Sequence, residues 1–298
     1  MVDDSIYLDY NATTPIAPEV VAAISASLAA DWGNPSSNHF RGIQAKAKID
    51  KARTQLAQSI NGTSDQIIFT SGGTEALNWV IYSICRGKDV HVITTKLEHC
   101  AVINPLKSLE SEGVSVDYIS PETGKFHVHP DDIINAIRPT TALIAVMMAN
   151  NETGAIQPVA AIGEKIAKLN AARDVKIKFL VDASQAYGKI AVDVDDIRCD
   201  FLVLAGHKFY APRIGALYAR CPDNLSPLIL GGGQEKGRRS GTENTPMIVG
   251  LGKAAEMVSN NLDHYNKTMK STRDLLYDLL SKENKVSWIS GKMRRKQK

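Results

Sequence analysis

Three short segments set reactive residue types directly behind apolar runs. The first is Thr70-Ser71-Gly72-Gly73-Thr74-Glu75, between a strand pattern and a helix pattern. Two glycines let the backbone come close to an anion, and the helix start offers free N–H groups to a phosphate, with the Thr74 hydroxyl beside them. By itself such a segment is more often a plain turn before a helix. Neither G-x-x-x-x-G-K-[ST] nor G-x-G-x-x-G fits it. The second segment, Val181-Asp182-Ala183-Ser184-Gln185, closes an apolar strand. A carboxylate there can pair with a protonated ring nitrogen, or simply cap a helix. The third, Ala205-Gly206-His207-Lys208, follows another apolar strand. A lysine close to the sheet is poorly hydrated, which favours the neutral amine that forms Schiff bases; a surface lysine in a loop is the alternative.

The elements that must hold these segments follow from hydrophobic pattern. Strands are predicted at Gln66–Thr70, His91–Thr95, Val114–Ser120, Ala142–Ala149, Lys178–Asp182, Phe201–Ala205 and Ala216–Ala219. Helices are predicted at Gln44–Ile60, Glu75–Cys85, Pro130–Ile137, Val159–Ala172 and Pro246–Asn260, the last passing near Asn260–Asp263 into Tyr265–Lys282. Strands alternating with helices predict an α/β protein with a mainly parallel sheet covered on both faces. Runs such as Leu143-Ile144-Ala145-Val146 are apolar on both sides, as buried parallel strands are. Ligand sites in such sheets lie at the carboxyl ends of the strands, where the last two segments fall.

With 298 residues, the chain can build one large α/β domain and a smaller piece. No apolar run approaches the ~18 residues of a membrane span. The acidic start, Met1-Val2-Asp3-Asp4, is unlike a secretory or mitochondrial leader, so the cytosol is the expected location. The net charge of +3 falls to −2 once Lys292, Arg294, Arg295, Lys296 and Lys298 are left out, so the basic balance belongs to a tail. A solvated end is expected there, and no nucleic-acid-binding domain. Cys85, Cys100, Cys199 and Cys221 form no C-x-x-C pair and are expected to be reduced thiols. His127 and His129 alternate as on a strand, without a third ligand for a metal. A Cys–His pairing of Cys100 with His99 is not expected, because sequence neighbours seldom face each other.

The three segments occur in one order, and the chain from about Tyr7 to about Leu280 resembles the class V aminotransferase group, specifically the selenocysteine lyases and NifS/IscS-like cysteine desulfurases. The motifs that carry the resemblance are Leu8-Asp9-Tyr10-Asn11-Ala12-Thr13-Thr14, Gly33-Asn34-Pro35-Ser36-Ser37, Ala149-Asn150-Asn151-Glu152-Thr153-Gly154, Gly206-His207-Lys208-Phe209-Tyr210 and Arg239-Ser240-Gly241-Thr242-Glu243-Asn244. The resemblance implies the aspartate aminotransferase-like fold type I, with pyridoxal 5'-phosphate (PLP) as cofactor. It implies a PLP-binding large domain over 1–262, whose first ~20 residues are an arm, and a truncated start of the small domain over 263–298 with its basic tail. Lys208 matches the Schiff-base lysine, Asp182 the partner of the pyridinium nitrogen, and Gln185 the contact to the ring's phenolic oxygen. Gly73, Thr74 and His207 match phosphate-site positions. His99 matches a histidine that stacks on the ring and helps in proton transfer, and Asn151 an asparagine near the ring and substrate. Thr242 matches a threonine that reaches the phosphate of a partner subunit, so a homodimer with shared sites is implied. Ala205 departs from the desulfurase pattern, which often has a serine there. The Gly231-Gly232-Gly233 run with Lys236, Arg238 and Arg239 is read as a mobile loop.

The reaction implied is cleavage of selenocysteine to alanine and selenide, with cysteine desulfuration as the alternative and a selenium or sulfur acceptor protein as a further partner. In this family a loop cysteine and a substrate-binding arginine lie in the C-terminal half, at positions beyond residue 298. A catalytically incomplete form that binds PLP or pairs with a full-length subunit is therefore a third reading.

Overall fold

The computed structural model describes residues 6–122 and 124–283. The basic tail and the first four residues discussed above lie outside that range. Seven strands form one sheet: β1 (Ile67–Thr70), β2 (His91–Thr95), β3 (Ser115–Ile119), β4 (Thr141–Met147), β5 (Lys178–Asp182), β6 (Phe201–Ala205) and β7 (Gly215–Ala219), in the order β1-β7-β6-β5-β4-β2-β3. β7 runs antiparallel to both β1 and β6, and the remaining pairs are parallel. β1, β2, β4, β6 and β7 are buried along their whole length. That burial is why these strands read as apolar runs and not as alternating ones.

Eight α-helices accompany the sheet among the described residues: α1 (Pro18–Ala30), α2 (Phe40–Gln58), α3 (Gly73–Cys85), α4 (Cys100–Ser111), α5 (Pro130–Asn135), α6 (Val159–Asn170), α7 (Val194–Ile197) and α8 (Thr245–Leu280). One core cluster joins Val20, Ile49, Leu56, Ile162, Ile166, Leu251 and Ala255 of α1, α2, α6 and α8 to one face of the sheet. The other packs Leu77, Trp79 and Ile81 of α3 with Val102, Leu106 and Leu109 of α4 on the opposite face. The sheet is thus covered on both sides, as its apolar strands require.

All seven predicted strands form within one or two residues of their expected bounds. Two long helices were not expected. α1 buries only Val20, Ile24 and Ser27, too sparse a stripe to show in the sequence, and α4 carries Pro105 inside it. The two helices expected on either side of Asn260–Asp263 are one continuous helix. Asn and Asp in an exposed helix interior cost well under about 1 kcal/mol each, too little to break it. The buried residues of α8 end at Val258. His127 and His129 are in no strand; His129 instead caps α5, its Nδ1 accepting from the Asp131 N–H at 3.2 Å.

Candidate functional site

The carboxyl ends of β2, β4, β5 and β6 lie side by side because these strands run parallel, so the residues just beyond them converge. β6 ends in a single tight turn, Gly206–Lys208, which delivers Lys208. The Lys208 Nζ donates to the Asn11 carbonyl at 2.8 Å. Burial lowers its pKa, against the pull of the Asp182 and Asp9 carboxylates. Asp182 is itself buried and accepts from the Ser184 N–H at 2.9 Å. A half-buried amine thus lies within the field of a buried carboxylate at one edge of the sheet.

The segment expected to be an arm is hydrogen-bonded against this site. The Thr14 N–H donates to the His207 carbonyl at 2.8 Å, the Tyr210 N–H donates to Thr14 Oγ1 at 2.8 Å, and the Ala17 N–H reaches the Tyr210 carbonyl at 3.0 Å. His207 Nδ1 lies 3.2 Å from Thr13 Oγ1. Burial first, then the charges of Lys208 and Arg213, lower the His207 pKa. Gln185 Nε2 donates to the same Asn11 carbonyl at 2.9 Å. Asn11 Nδ2 also reaches the Asn151 carbonyl at 3.4 Å, which brings Asn151 to the rim.

The opening turn of α3 presents free amides that could seat an anion. The amides of Gly73, Thr74 and Glu75 are those a helix leaves without intrahelical partners. A Cβ on Gly73 would meet Ala205 Cβ at 3.3 Å and Ser184 Oγ at 3.4 Å, while beside Gly72 there is open space. Glu75 does not compete for that seat. Its carboxylate takes the Ser71 N–H at 2.8 Å and a two-pronged contact from Arg239 at 2.8 and 3.1 Å. These bonds outweigh burial and hold its pKa low. The segment read as a mobile loop is likewise anchored: Arg239 is bound to Glu75, Arg238 to Asp223, and Glu235 to Arg53. Thr242, just beyond it, is exposed and makes none of these contacts.

His99 is exposed at the start of α4, with Nδ1 accepting from the Ala101 N–H at 3.1 Å. An acceptor Nδ1 places the proton of the neutral ring on Nε2. Contrary to expectation, Cys100 does face its neighbour, with Sγ 3.6 Å from His99 Nε2. Cys85 and Cys199, both buried, have thiols pushed up to about 12 by desolvation. Among the described residues, no group of three metal-ligating side chains gathers.

Two polar residues at this edge went unnoticed in the sequence. Lys189 lies within the site's network. Glu98 is buried beside His99, where Oε1 accepts from Thr95 Oγ1 at 2.7 Å and the Met147 N–H at 2.9 Å, and Oε2 has no partner among the described residues. Desolvation raises its pKa to about 8, and the Asp182 charge works the same way. A glutamate just past a strand end was the only available signal. Because the folded state holds this proton above the ordinary 4.5, Glu98 should cost stability progressively as pH rises from about 4.5 to about 8. We expect Glu98→Gln to melt at a higher temperature than the parent, by a margin that grows with pH to about 8 and then levels off. A constant margin from pH 5 to 9 would show that Glu98 does not titrate in that window.

An open α/β sheet carrying a buried carboxylate, a lysine and a glycine-opened helix at the carboxyl ends of its strands has the parts of a PLP protein. The family model of aminotransferase class-V matches residues 6–298, and the chain belongs to that family, whose selenocysteine lyases and desulfurases depend on PLP. It is 44% identical to the selenocysteine lyase of Rattus norvegicus, with 93% of this chain aligned to 71% of that enzyme. It is also 44% identical to the cysteine desulfurase IscS of Methanosarcina thermophila, over 93% of this chain and 68% of that enzyme. Among solved structures, SspA in complex with cysteine superposes with a TM-score of 0.80 at 38% identity, covering 85% of this chain and 72% of that one. The fold is therefore that of the PLP-dependent fold type I proteins.

Proposed function

We propose that this chain binds PLP through Lys208 and cleaves L-selenocysteine to L-alanine and selenium at the Se(0) level, which a reductant such as a thiol converts to selenide by supplying two electrons. The observation that carries the proposal is the half-buried Lys208 amine, held by the Asn11 carbonyl within the field of Asp182. The residues present suit the cofactor. The Gly72 and α3 amides would take its phosphate with Thr74 and His207, Asp182 its ring nitrogen, and Gln185 and Asn151 the ring's edge. Bound there, PLP supplies an electron sink that makes bonds to the substrate's α-carbon easier to break. Asp182 would keep the ring nitrogen protonated, Lys208 would hold the cofactor and take the proton from the substrate's α-carbon, and the exposed His99 ring would stack over the cofactor and pass protons through Nε2. Thr242 lies outside the pocket, and its exposure suits a role toward the site of a second copy in a homodimer.

Cysteine is the competing substrate, favoured by the 44% identity to a desulfurase and by the cysteine held in the SspA structure. Residues 1–262 form the cofactor domain in this proposal, and 263–298 begin a second one. In support, α8 continues past its last buried residue with Met269, Leu275, Leu276 and Leu279 exposed. A cytosolic site of action and an acceptor protein for the released chalcogen complete the reading. No helix among the described residues is long and apolar enough to cross a membrane.

The test is alanine release by the purified chain, loaded with PLP, from each amino acid. We expect selenocysteine to be turned over faster than cysteine. Preference for cysteine would establish the desulfurase reading, and a visible lysine-bound cofactor band without alanine from either would establish a binding-only form.

A further inference from the structure

Lys189 has no part in the reading above, yet it touches the site. Gly188, with φ at +80°, turns the chain tightly after Tyr187, and a Cβ there would meet Phe209 Cβ at 2.9 Å. The turn brings Lys189 back over Gln185. Its Nζ lies 2.8 Å from Gln185 Oε1 and 3.2 Å from the Gln185 carbonyl. Its own carbonyl accepts from Asn266 Nδ2 of α8 at 3.1 Å, so both sides of the turn are fixed.

An ammonium group has donors only. The oxygen end of the Gln185 amide must therefore face Lys189, and the NH2 end must face away. On that far side Nε2 donates to the Asn11 carbonyl at 2.9 Å, the same oxygen that holds Lys208 at 2.8 Å. The two ends of an amide have nearly the same shape, so only a neighbour of fixed polarity decides between them. The Asn11 carbonyl, an acceptor only, asks for the same NH2 end from the other side, so without Lys189 that bond alone opposes a turn that would offer Oε1 toward the pocket. That end would attract an ammonium at Lys208 and repel an anionic oxygen bound beside it.

We propose that Lys189 is a positioning residue of the Lys208 site, and that its donor, acting with the Asn11 carbonyl, holds the NH2 end of the Gln185 amide toward the pocket. The charged groups around this network are Lys208, Asp182 and Asp9. Burial, with the Lys208 charge, brings Lys189 itself to about 8. Like charges act on each other in both directions, so Lys189 also disfavours an ammonium at Lys208 directly. The experiment must separate this direct repulsion from the action through Gln185.

The orientation is a property of the protein alone. Its effect on a bound cofactor rests on the function proposed above, and two readouts keep the two apart. One is the pH midpoint for acylation of Lys208 in protein free of PLP, followed by mass spectrometry of its peptide. The other is the pH midpoint of the lysine-bound cofactor band in protein loaded with PLP. In Lys189→Met we expect both midpoints to rise by about one pH unit, with Lys189→Arg restoring the parent values. Placed on a Gln185→Leu background, Lys189→Met should add less than half the shift it gives alone. An equal shift on both backgrounds, or none on either, overturns the proposal. If the loaded parent shows no visible band, the cofactor reading falls, while the acylation arm still decides the role of Lys189. Should Lys189→Met fail to fold, Lys189→Gln takes its place with the same expected sign, because its amide accepts as well as donates and leaves the Asn11 bond alone to oppose the turn.

Discussion

Replacing Lys208 by alanine is expected to remove the visible lysine-bound cofactor band entirely and to cut alanine release by at least about 10^2- to 10^4-fold, the range of a lost acid–base group. Most of that loss should be chemical and little of it structural. The backbone around Lys208 is secured without its side chain, since the His207 carbonyl takes the Thr14 N–H at 2.8 Å and the Phe209 N–H reaches the Gly206 carbonyl at 3.0 Å. The side chain makes one hydrogen bond, to Asn11, and sits half-buried. Its loss frees one carbonyl that Gln185 still occupies. Lys208→Arg makes the argument sharper. It keeps a positive charge beside Asp182 but offers no primary amine, so the band and turnover should vanish while the melting temperature stays near that of the parent. Unchanged turnover in either variant would remove Lys208 from the reaction. Asp182→Asn separates the two halves of the site. It can still accept the Ser184 N–H, so the local turn persists, but it no longer carries the charge that favours a protonated ring nitrogen. The band should survive in that variant and turnover should fall.

The parts of this site that were legible in the sequence are those whose meaning is local. Asp182 ends a run of buried strand residues and Lys208 stands three positions beyond another, so the apolar runs announce the strands and their ends announce the edge. The same holds for the sheet, whose strands show as apolar blocks because most are buried on both faces. What was not legible depends on contacts between residues far apart in the chain. The Asn11 carbonyl meets Lys208 across 197 positions, and a backbone oxygen leaves no mark in a sequence. Lys189 reads as an ordinary lysine after a Gly turn until Gln185 is seen beneath it. α4 was hidden by Pro105, whose missing N–H and ring the helix tolerates near its first turns. α8 was divided on paper by Asn260, Asn261 and Asp263, residues whose helix penalties are small beside the anchoring of the apolar stripe that ends at Val258.

The largest effect on stability should come from Arg53 of α2. Its guanidinium makes a two-pronged bond to Glu235, at 2.7 Å on each arm, and donates to the Ile67 carbonyl at 2.8 Å. It also lies over the Phe69 ring, 4.6 Å from its centre. Glu235 Oε2 accepts in addition from the Phe69 N–H at 3.1 Å, so one carboxylate ties α2 and β1 to the segment before α8. That segment needs tying. Glu235 and Lys236 both adopt positive φ, at 51° and 59°, a conformation that side chains with a Cβ disfavour. Arg53→Met would leave a buried carboxylate without its cation, a loss of about 3–5 kcal/mol. Arg53→Met/Glu235→Met should recover much of it, because no charge is then stranded. The recovery should stop roughly 1 kcal/mol short, since the Phe69 N–H loses its acceptor. Denaturant melts of the three proteins check both steps, and a double variant no more stable than the single one would mean that the pair itself is not what holds this segment. The consequence extends to the site, because Arg239 of the same segment holds Glu75, and Glu75 holds the Ser71 N–H beside the α3 amides. Arg53→Met should therefore weaken PLP binding even where the protein remains folded, whereas the double variant, with its segment free of a stranded charge, should bind PLP more tightly than the single one.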